Sequence, residues 1–576
     1  MDNRSTATTV LAVRSLIELQ GDMSLSKEAR KLLSFTDNRQ DASLQAGHFN
    51  DFSQVALLRS ALHKAIEPKD SGLGHAELSR EVFGALSLGF EDYAADPDVR
   101  GPARIATTDA LRRVIEYHLY RDLQRGWRVT APNLEDCGLL RFDYEGLAGE
   151  EGLLADTGLW ESGFTIRIDR DQEEFVAVPP SLRGCPPELR EELLRTLLDV
   201  LRRSLAIKVD VLNPQKQLEL VEQTTPRLLE GTVWFLEDEK DLIKSVVAYP
   251  RAKKPKENNG FFVSSYGGYG RYLRRSLKPH LQEGRPWGRD EVDEAIRYLF
   301  LALKGYGILE QVRSGDVPGY QINHGSLRWL PGSGEVRPVD RTRLLDVGDI
   351  PPAVNEYFVA CYRSFVTLKC LLEAREHTAQ VPAEERERRE QLFRGGQLPL
   401  LFCSPTMELG VDIAQLNLVN LRNVPPTPAN YAQRSGRAGR GGQPALVYTY
   451  CAGRSPHDQY YFRRPEAMVS GFVSAPRIDL CNRDLVRSHI HAVWMEVVKP
   501  DLGKTLISVI DIVREGGKIH LPVKLSLQES LSSPSYRGLA MERANRLVGS
   551  IQDRLSGASW FHEAWVQEVL DQIGRS

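Results

Sequence analysis

The chain has 576 residues, enough for three or four domains with ample core. Its 74 basic and 77 acidic side chains leave a net charge of −3, so no overall attraction draws it to a polyanion, and any nucleic-acid contact must come from a local cleft. A 41% hydrophobic content with no apolar run approaching about 18 residues, and a Met-Asp-Asn-Arg start without an apolar segment, exclude a membrane span and a secretory signal and predict a cytoplasmic protein.

In chain order, the first informative stretch is Lys31-Leu32-Leu33-Ser34-Phe35-Thr36-Asp37-Asn38-Arg39-Gln40-Asp41, an apolar strand running into a polar turn. Between Ala65 and Pro351 about 285 residues then intervene. Within them, residues 188–205 form a helix, with Leu189, Leu193, Leu194, Leu197 and Leu201 on one face. Residues 251–260 are a basic linker rich in Pro, Gly and Asn. Residues 271–280 read as a basic helix, and Val292, Ala295, Ile296, Leu299, Phe300 and Leu303 form the apolar stripe of another, opened by acidic residues and closed at Gly305-Tyr306-Gly307. Residues 308–313 and 319–322 can pair as a hairpin across Ser314-Gly315-Asp316. Helix, helix, hairpin is the order of a winged helix, expected over about 265–335, with Arg271, Arg274, Arg275 and Lys278 as its basic edge and Arg313 on the wing. Such a module binds duplex DNA or serves only packing.

Beyond this insertion, His377-Thr378-Ala379-Gln380 precedes a charged helix over 384–393. Residues 400–404 form a buried strand that leads into Pro405-Thr406-Met407-Glu408-Leu409-Gly410-Val411-Asp412-Ile413. A second apolar run over 416–424 is broken by Pro425-Pro426-Thr427-Pro428. A short helix over 429–438 follows, bringing Gln433, Arg437 and Arg440 to one side by their i, i+4, i+7 spacing. A strand over 445–451 closes the unit. Strands alternating with helices of this length predict a parallel, doubly wound α/β sheet. The octapeptide Gln433-Arg434-Ser435-Gly436-Arg437-Ala438-Gly439-Arg440 suits a polyphosphate, because guanidinium forks match phosphate oxygens and glycines admit a ligand close to the backbone. The tail after Arg464 reads as mostly helical, with a Trp-bearing helix over 479–498, a strand over 506–513 and a final helix over 559–573. The seven cysteines show no Cys-x-x-Cys spacing and read as core thiols, with no metal site expected.

Together these segments resemble the second RecA-like lobe of a superfamily 2 (DEAD/DEAH-box type) helicase. Residues 31–41 are similar to motif IV, 406–413 to motif V and 433–440 to motif VI. The large insertion resembles that of big bacterial members linked to DNA repair or phage defence. The resemblance implies an α/β lobe split by a mainly helical insertion. The expected divisions are 1–64 and 351–464 for the lobe, 65–350 for the insertion and 465–576 for a mainly helical extension. It also implies site roles. Arg437 and Arg440 act as arginine fingers on the γ-phosphate, and Gln433 orders the attacking water. Gly410, Asp412, Arg434 and Gly436 line the nucleotide. Thr36, Arg39, His377 and Thr406 touch nucleic acid; Arg271, Arg274 and Arg275 do so on the winged-helix reading of the insertion. For His377, a histidine satisfied at a strand end is the competing reading.

The implied cofactor is ATP with Mg²⁺, yet the chain has no Gly-x-x-x-x-Gly-Lys-Ser/Thr loop and no acidic Mg²⁺ motif. Gly503-Lys504-Thr505 lacks the first glycine, since Val498 stands in its place. About 30 residues before the first strand are too few for another lobe. The expectation is therefore half of an ATP-dependent DNA helicase or translocase, RNA not being excluded, that hydrolyses nothing alone. Its first lobe comes from another polypeptide or from upstream sequence. The alternative is a noncatalytic nucleic-acid-binding or docking subunit derived from such an enzyme.

Overall fold

A computed structural model of the chain describes residues 4–124, 131–169, 172–236, 238–254, 256, 260–280, 288–313, 318–343, 353–368, 372–404, 416–439, 442–471, 479–503, 505–515 and 518–573. Two compact units divide it, Met1–Phe472 and Val473–Ser576.

The first unit is organised around a parallel sheet of five strands: β1 (Leu32–Phe35), β2 (Ala374–His377), β3 (Leu400–Cys403), β4 (Leu418–Leu421) and β5 (Leu446–Thr449). Their order is β2-β3-β1-β4-β5, with every neighbouring pair parallel. The strand nearest the N-terminus is thus the centre of the sheet. Its residues Leu32 to Phe35 pair with Leu400 to Cys403 on one side and Leu418 to Leu421 on the other. These three inner strands are buried throughout, which is why they read as unbroken apolar runs.

Side chains alternate between two faces. Leu32, Leu400, Phe402 and Leu418 join the large core of the unit, whereas Leu33, Phe35, Leu401, Cys403, Val419 and Leu421 form a smaller core on the other side. Five helices flank the sheet: α1 (Arg4–Gly21), α2 (Arg39–Ile66), α3 (Glu356–Ser364), α4 (Ala383–Arg394) and α5 (Pro428–Ser435). The doubly wound arrangement follows from this. α1 and α2 contribute Leu16, Phe49 and Phe52 to the large core, and Phe393 of α4 and Tyr431 of α5 cover the smaller one.

The insertion leaves and rejoins the lobe at one place. α2 carries the chain out, and α3 returns it against the same helix. Phe52 and Phe358 rings meet at 6.2 Å, Arg59 Nη1 donates to Tyr362 Oη at 2.8 Å, and Val366 N–H donates to Ser60 Oγ at 2.9 Å. Arg59 also grips Asp122 through two bonds of 2.8 and 2.6 Å. A long insertion is tolerated because its ends are neighbours, and here one core runs from the lobe into the insertion without a break.

Inside the insertion the leucine-striped helix is observed as Pro187–Arg203, buried at Leu193, Leu194, Leu197 and Leu201. Helices Gly268–Leu277 and Arg289–Gly305 follow, then antiparallel strands Leu309–Arg313 and Gly319–Asn323. The expected helix, helix, hairpin order is present. The hairpin nonetheless belongs to a larger sheet, since Gly319–Asn323 also pairs with Ile207–Lys208 and Ala248–Tyr249, so a separate winged helix is not established. Its turn, Ser314-Gly315-Asp316, and the side chain of Arg313 lie outside the described residues. Further antiparallel pairs, Leu140–Tyr144 with Leu327–Pro331 and Gly163–Asp169 with Gln172–Ala177, make the insertion less purely helical than its sequence suggests.

In the second unit, helices Arg483–Val498, Arg537–Gly549 and Trp565–Ile573 bury Ile490, Trp494, Ala544 and Trp565 together. The strand expected over 506–513 is instead a 3₁₀ turn, Leu506–Ser508, followed by the short antiparallel pair Val513–Glu515 and Lys518–His520. The last helix begins at Trp565, later than expected. Trp560 is held beside it, 4.6 Å between ring centroids, with its indole N–H bonded to the Cys481 carbonyl at 2.9 Å.

Candidate nucleotide and nucleic-acid site

The strands of the lobe all end on one edge of the sheet. β1 exits through Thr36, Asp37 and Asn38, β2 through Thr378, β3 through Ser404 and β4 through Arg422 and Asn423. In an open parallel sheet this carboxyl edge is where ligands bind.

Several predicted contacts prove to be internal ties. Thr36 has no exposed surface, and its hydroxyl lies 2.9 Å from the Asn38 carbonyl and 3.3 Å from that of Cys403, which locks the exits of β1 and β3 together. It offers nothing to a nucleic-acid strand in this arrangement. His377 is also fully buried, with Nε2 2.8 Å from Glu390 Oε1 on α4. Burial holds its imidazole below the ordinary histidine range although Glu390 works the other way, so Nε2–H is the donor of a neutral ring. Of the two readings the sequence left open, this geometry favours a buried histidine at a strand end, paired through Nε2 alone, since its buried Nδ1 has no hydrogen-bond partner. Arg39, by contrast, starts α2 exposed, just after Asn38, whose side chain caps the helix by accepting from Asp41 N–H at 2.8 Å.

The arginine segment is shorter as a helix than its spacing predicted. α5 begins with Pro428 behind the N-cap Thr427 and ends at Ser435. Gly436 then takes over as the cap residue, a role that glycine fills readily at a helix end. Arg437 therefore lies in the turn beyond α5, its N–H 3.3 Å from the Arg434 carbonyl, and no continuous helix links it to Gln433. Gly439, at φ +74°, has the left-handed backbone that returns the chain to the sheet, where its N–H bonds the Leu416 carbonyl at 2.9 Å.

Adjacent residues on this segment differ in fate. Gln433 and Gly436 are exposed and Arg437 is half-buried, while Arg434 is buried with its guanidinium 5.8 Å from the centre of the Phe35 ring. Arg434, expected to line the nucleotide, thus packs against β1. Arg437 is electrostatically close to the end of β3. Burial and Glu390 push the Cys403 thiol up to about 12, and the Arg437 charge opposes them. Residues Thr406, Gly410 and Asp412, and Arg440 itself, lie outside the described residues.

Sequence reasoning passed over the residue that braces this edge. Arg422, directly after β4, is 7% exposed and reaches Asp41 at 2.9 Å and Gln45 at 3.2 Å on α2, and Ser5 at 3.1 Å on α1. Its neighbour Asn423 donates to the Asp37 carboxylate. Partial burial raises Asp37 above the usual carboxylate range, against the pull of Arg4, Arg422 and Arg434. An Arg-Asn pair just past a buried strand was the available signal. The insertion arginines are separate from this edge: Arg271 and Arg275 are exposed on Gly268–Leu277, and Arg274 is half-buried. Among the described residues no group of three or more His, Cys, Asp or Glu could hold a metal ion. No helix among them is long and apolar enough to cross a membrane.

Comparison with known proteins agrees with this lobe. Residues 358–442 match the family described as the helicase conserved C-terminal domain. Over 135 residues the chain is 42% identical to the Druantia protein DruE of Escherichia coli (strain UMEA 4076-1), a match covering 21% of this chain and 7% of that protein. The DUF1998 helicase MrfA, solved bound to DNA and AMPPNP, is 24% identical over 31% of this chain and 26% of its own, with a TM-score of 0.19. The Mycobacterium smegmatis helicase Lhr, bound to ssDNA and AMP-PNP, is 20% identical over 28% and 25%, with a TM-score of 0.18. The family match takes in β2, β3, β4 and α5, while the central strand β1 comes from far upstream. Residues 358–442 thus carry a helicase conserved C-terminal domain, and the parallel sheet in which they lie is completed by a strand from before the insertion.

Proposed function

We propose that this chain is the arginine-finger half of an ATP-dependent DNA translocase, active when a first RecA-like lobe supplies the phosphate loop and the Mg²⁺ ligands. The observation that carries the reading is Arg437, half-buried beyond α5 at the carboxyl edge of the lobe sheet, with Gln433 exposed on the last turn before it. ATP with Mg²⁺, when bound, supplies the phosphoanhydride whose cleavage releases the free energy for movement. The donor set fits such a ligand: the Gln433 amide on the last turn of α5 and the Arg437 guanidinium just past it flank the Gly436 cap, and Arg434 is turned inward so that the segment is anchored by packing.

Arg437 and Arg440 would contribute positive charge where negative charge develops, and Gln433 would orient a water. Asp412, Gly410 and Gly436 would line the nucleotide, and Thr406 and Arg39 would contact the nucleic-acid backbone. Phosphoryl transfer requires charge stabilisation and positioning more than covalent help, so a lobe of this kind contributes without a nucleophile of its own.

The test mixes the full chain with a candidate first lobe, or joins the two in one polypeptide, and measures ATP hydrolysis with and without DNA. Hydrolysis stimulated by DNA in the pair and absent from the chain alone is expected. No hydrolysis from any pairing that forms a complex would favour a noncatalytic docking subunit.

A further inference from the structure

The insertion contains a second phosphate-suited site, far in sequence from the arginine motif. Strand Phe261–Phe262 runs into Val263-Ser264-Ser265-Tyr266-Gly267-Gly268-Tyr269-Gly270, and helix Gly268–Leu277 begins inside that segment. A cavity of about 350 Å³ opens here, lined by Arg203, Arg271, Arg343, Ser264, Gly267 and Gly268 among others. Three guanidiniums border it, and no acidic side chain is among its described lining residues. Arg203 is partly offset by Glu135, 2.7 Å away, which leaves Arg271 and Arg343 as the charges that set its sign.

The loop is built to hold this shape. Ser265 is clamped by Asp293, N–H to Oδ1 at 2.6 Å and Oγ to Oδ2 at 2.9 Å. A Cβ at Gly270 would stand 2.3 Å from the Ser264 carbonyl, so only glycine lets the loop fold back onto its helix. The helix starts at Gly267 without a side-chain cap, and Gly267 and Gly268 line the cavity.

Directly before this rim stands Tyr266, 58% exposed. Arg289 sits 4.5 Å from its ring centre and donates to its hydroxyl at 2.8 Å, while Arg271 bonds its carbonyl at 3.1 Å. The ring thus stands largely in solvent with Arg289 against it, while Arg271 fixes its main chain. Beside a cationic cavity it forms a stacking platform next to a phosphate seat, the combination that retains an unpaired strand.

From this juxtaposition we propose that the Tyr266 platform and the cavity of Arg203, Arg271 and Arg343 bind single-stranded nucleic acid, a backbone phosphate in the cavity and an unpaired base on Tyr266. The proposal rests on the reading of the chain as part of a nucleic-acid motor, and it assigns the insertion the grip on a separated strand. A duplex keeps its bases stacked inside and gains nothing from Tyr266.

The experiment is fluorescence anisotropy of the full chain without ATP, titrated onto labelled oligo-dT and onto a blunt duplex. Tyr266→Ala is expected to weaken oligo-dT binding about tenfold, with duplex binding unchanged and Tyr266→Phe like wild type. Arg271→Ala and Arg343→Ala are each expected to reduce the slope of log affinity against log salt by about 0.7, with thermal melting confirming that both variants fold. An oligo-dT affinity indifferent to Tyr266→Ala overturns the proposal. So does an equal loss on duplex, and so does displacement of the oligonucleotide by inorganic phosphate or ATP, which would mark a small-anion pocket. Because no ATP is present, this result is independent of hydrolysis by the paired lobes, and either reading can fail without the other.

Discussion

Arg434 and Arg437 have identical chemistry and stand three residues apart, yet they meet opposite environments. Arg434 falls on the inward side of α5, over Phe35, and Arg437 falls past the helix end, where the chain has turned toward the tip of β3. Helix phase and helix length decide this, and composition cannot. The motif was legible as phosphate-suited because its residue types are unusual together. Which arginine packs over Phe35 and which lies past the helix end depended on α5 stopping at Ser435, which the presence of Gly436 signals only in retrospect. His377 shows the same limit. Its residue type suits a nucleic-acid contact, but its position at the last residue of β2, under α4, gives it Glu390 instead. His377→Ala is therefore expected to lower stability by about 1–3 kcal/mol, the cost of an unpaired buried partner and a small cavity, and to leave DNA affinity unchanged. Thermal melting alongside a DNA titration checks this. A normal melting temperature with weakened DNA binding would restore the contact role.

Among the elements, the inner strands were the most legible, because burial on both faces writes an unbroken apolar run into the sequence. The leucine-striped helix of the insertion was equally plain. Its end was not: Arg202, just past the leucine stripe, is fully buried and bonds Glu135 at 2.7 and 3.0 Å. Burial opposes the Glu135 carboxylate, and the Arg202 and Arg203 guanidiniums overcome it, holding the group at about 2. Because its folded value lies below the ordinary 4.5, its stabilising contribution is complete above about pH 4.5 and disappears as pH falls through about 2. Glu135→Gln leaves the buried Arg202 with only the part-exposed Asp199, 3.1 Å away, as counter-charge and is expected to destabilise the insertion by about 3–5 kcal/mol at neutral pH. Urea unfolding at pH 7 measures the loss, and the difference from wild type should shrink toward the low end of that pH range. The hairpin after Arg289–Gly305 was anticipated in place and direction, but the strands Ile207–Lys208 and Ala248–Tyr249 that extend it come from distant sequence with too few residues to show a period.

On the scale of the molecule, the lobe is assembled from two pieces of chain with the insertion between them, and the assembly is strict. β1, from the first piece, is the centre of the sheet, so neither piece has a complete lobe without the other. α2 and α3 close the gap through Arg59, Tyr362 and Ser60, all of which are buried. The long separation hid this from simple pattern reading, and only the similarity of residues 31–41 to a helicase motif tied them to a sheet whose other strands begin at Ala374. The same construction lets the insertion and the lobe share one continuous core. The burial of Cys137, Cys185 and Cys361 in that core and of Cys403 in the smaller one, with thiols pushed up to between about 11 and about 12, makes them inert at neutral pH.

Whether Arg437 delivers charge to a nucleotide held by another lobe is tested most directly by single-turnover ATP hydrolysis of the lobe pair, wild type against Arg437→Ala. The expected rate is reduced about 10³-fold or more, with the melting temperature of the variant unchanged. An active pair whose hydrolysis rate is indifferent to Arg437→Ala would contradict this role.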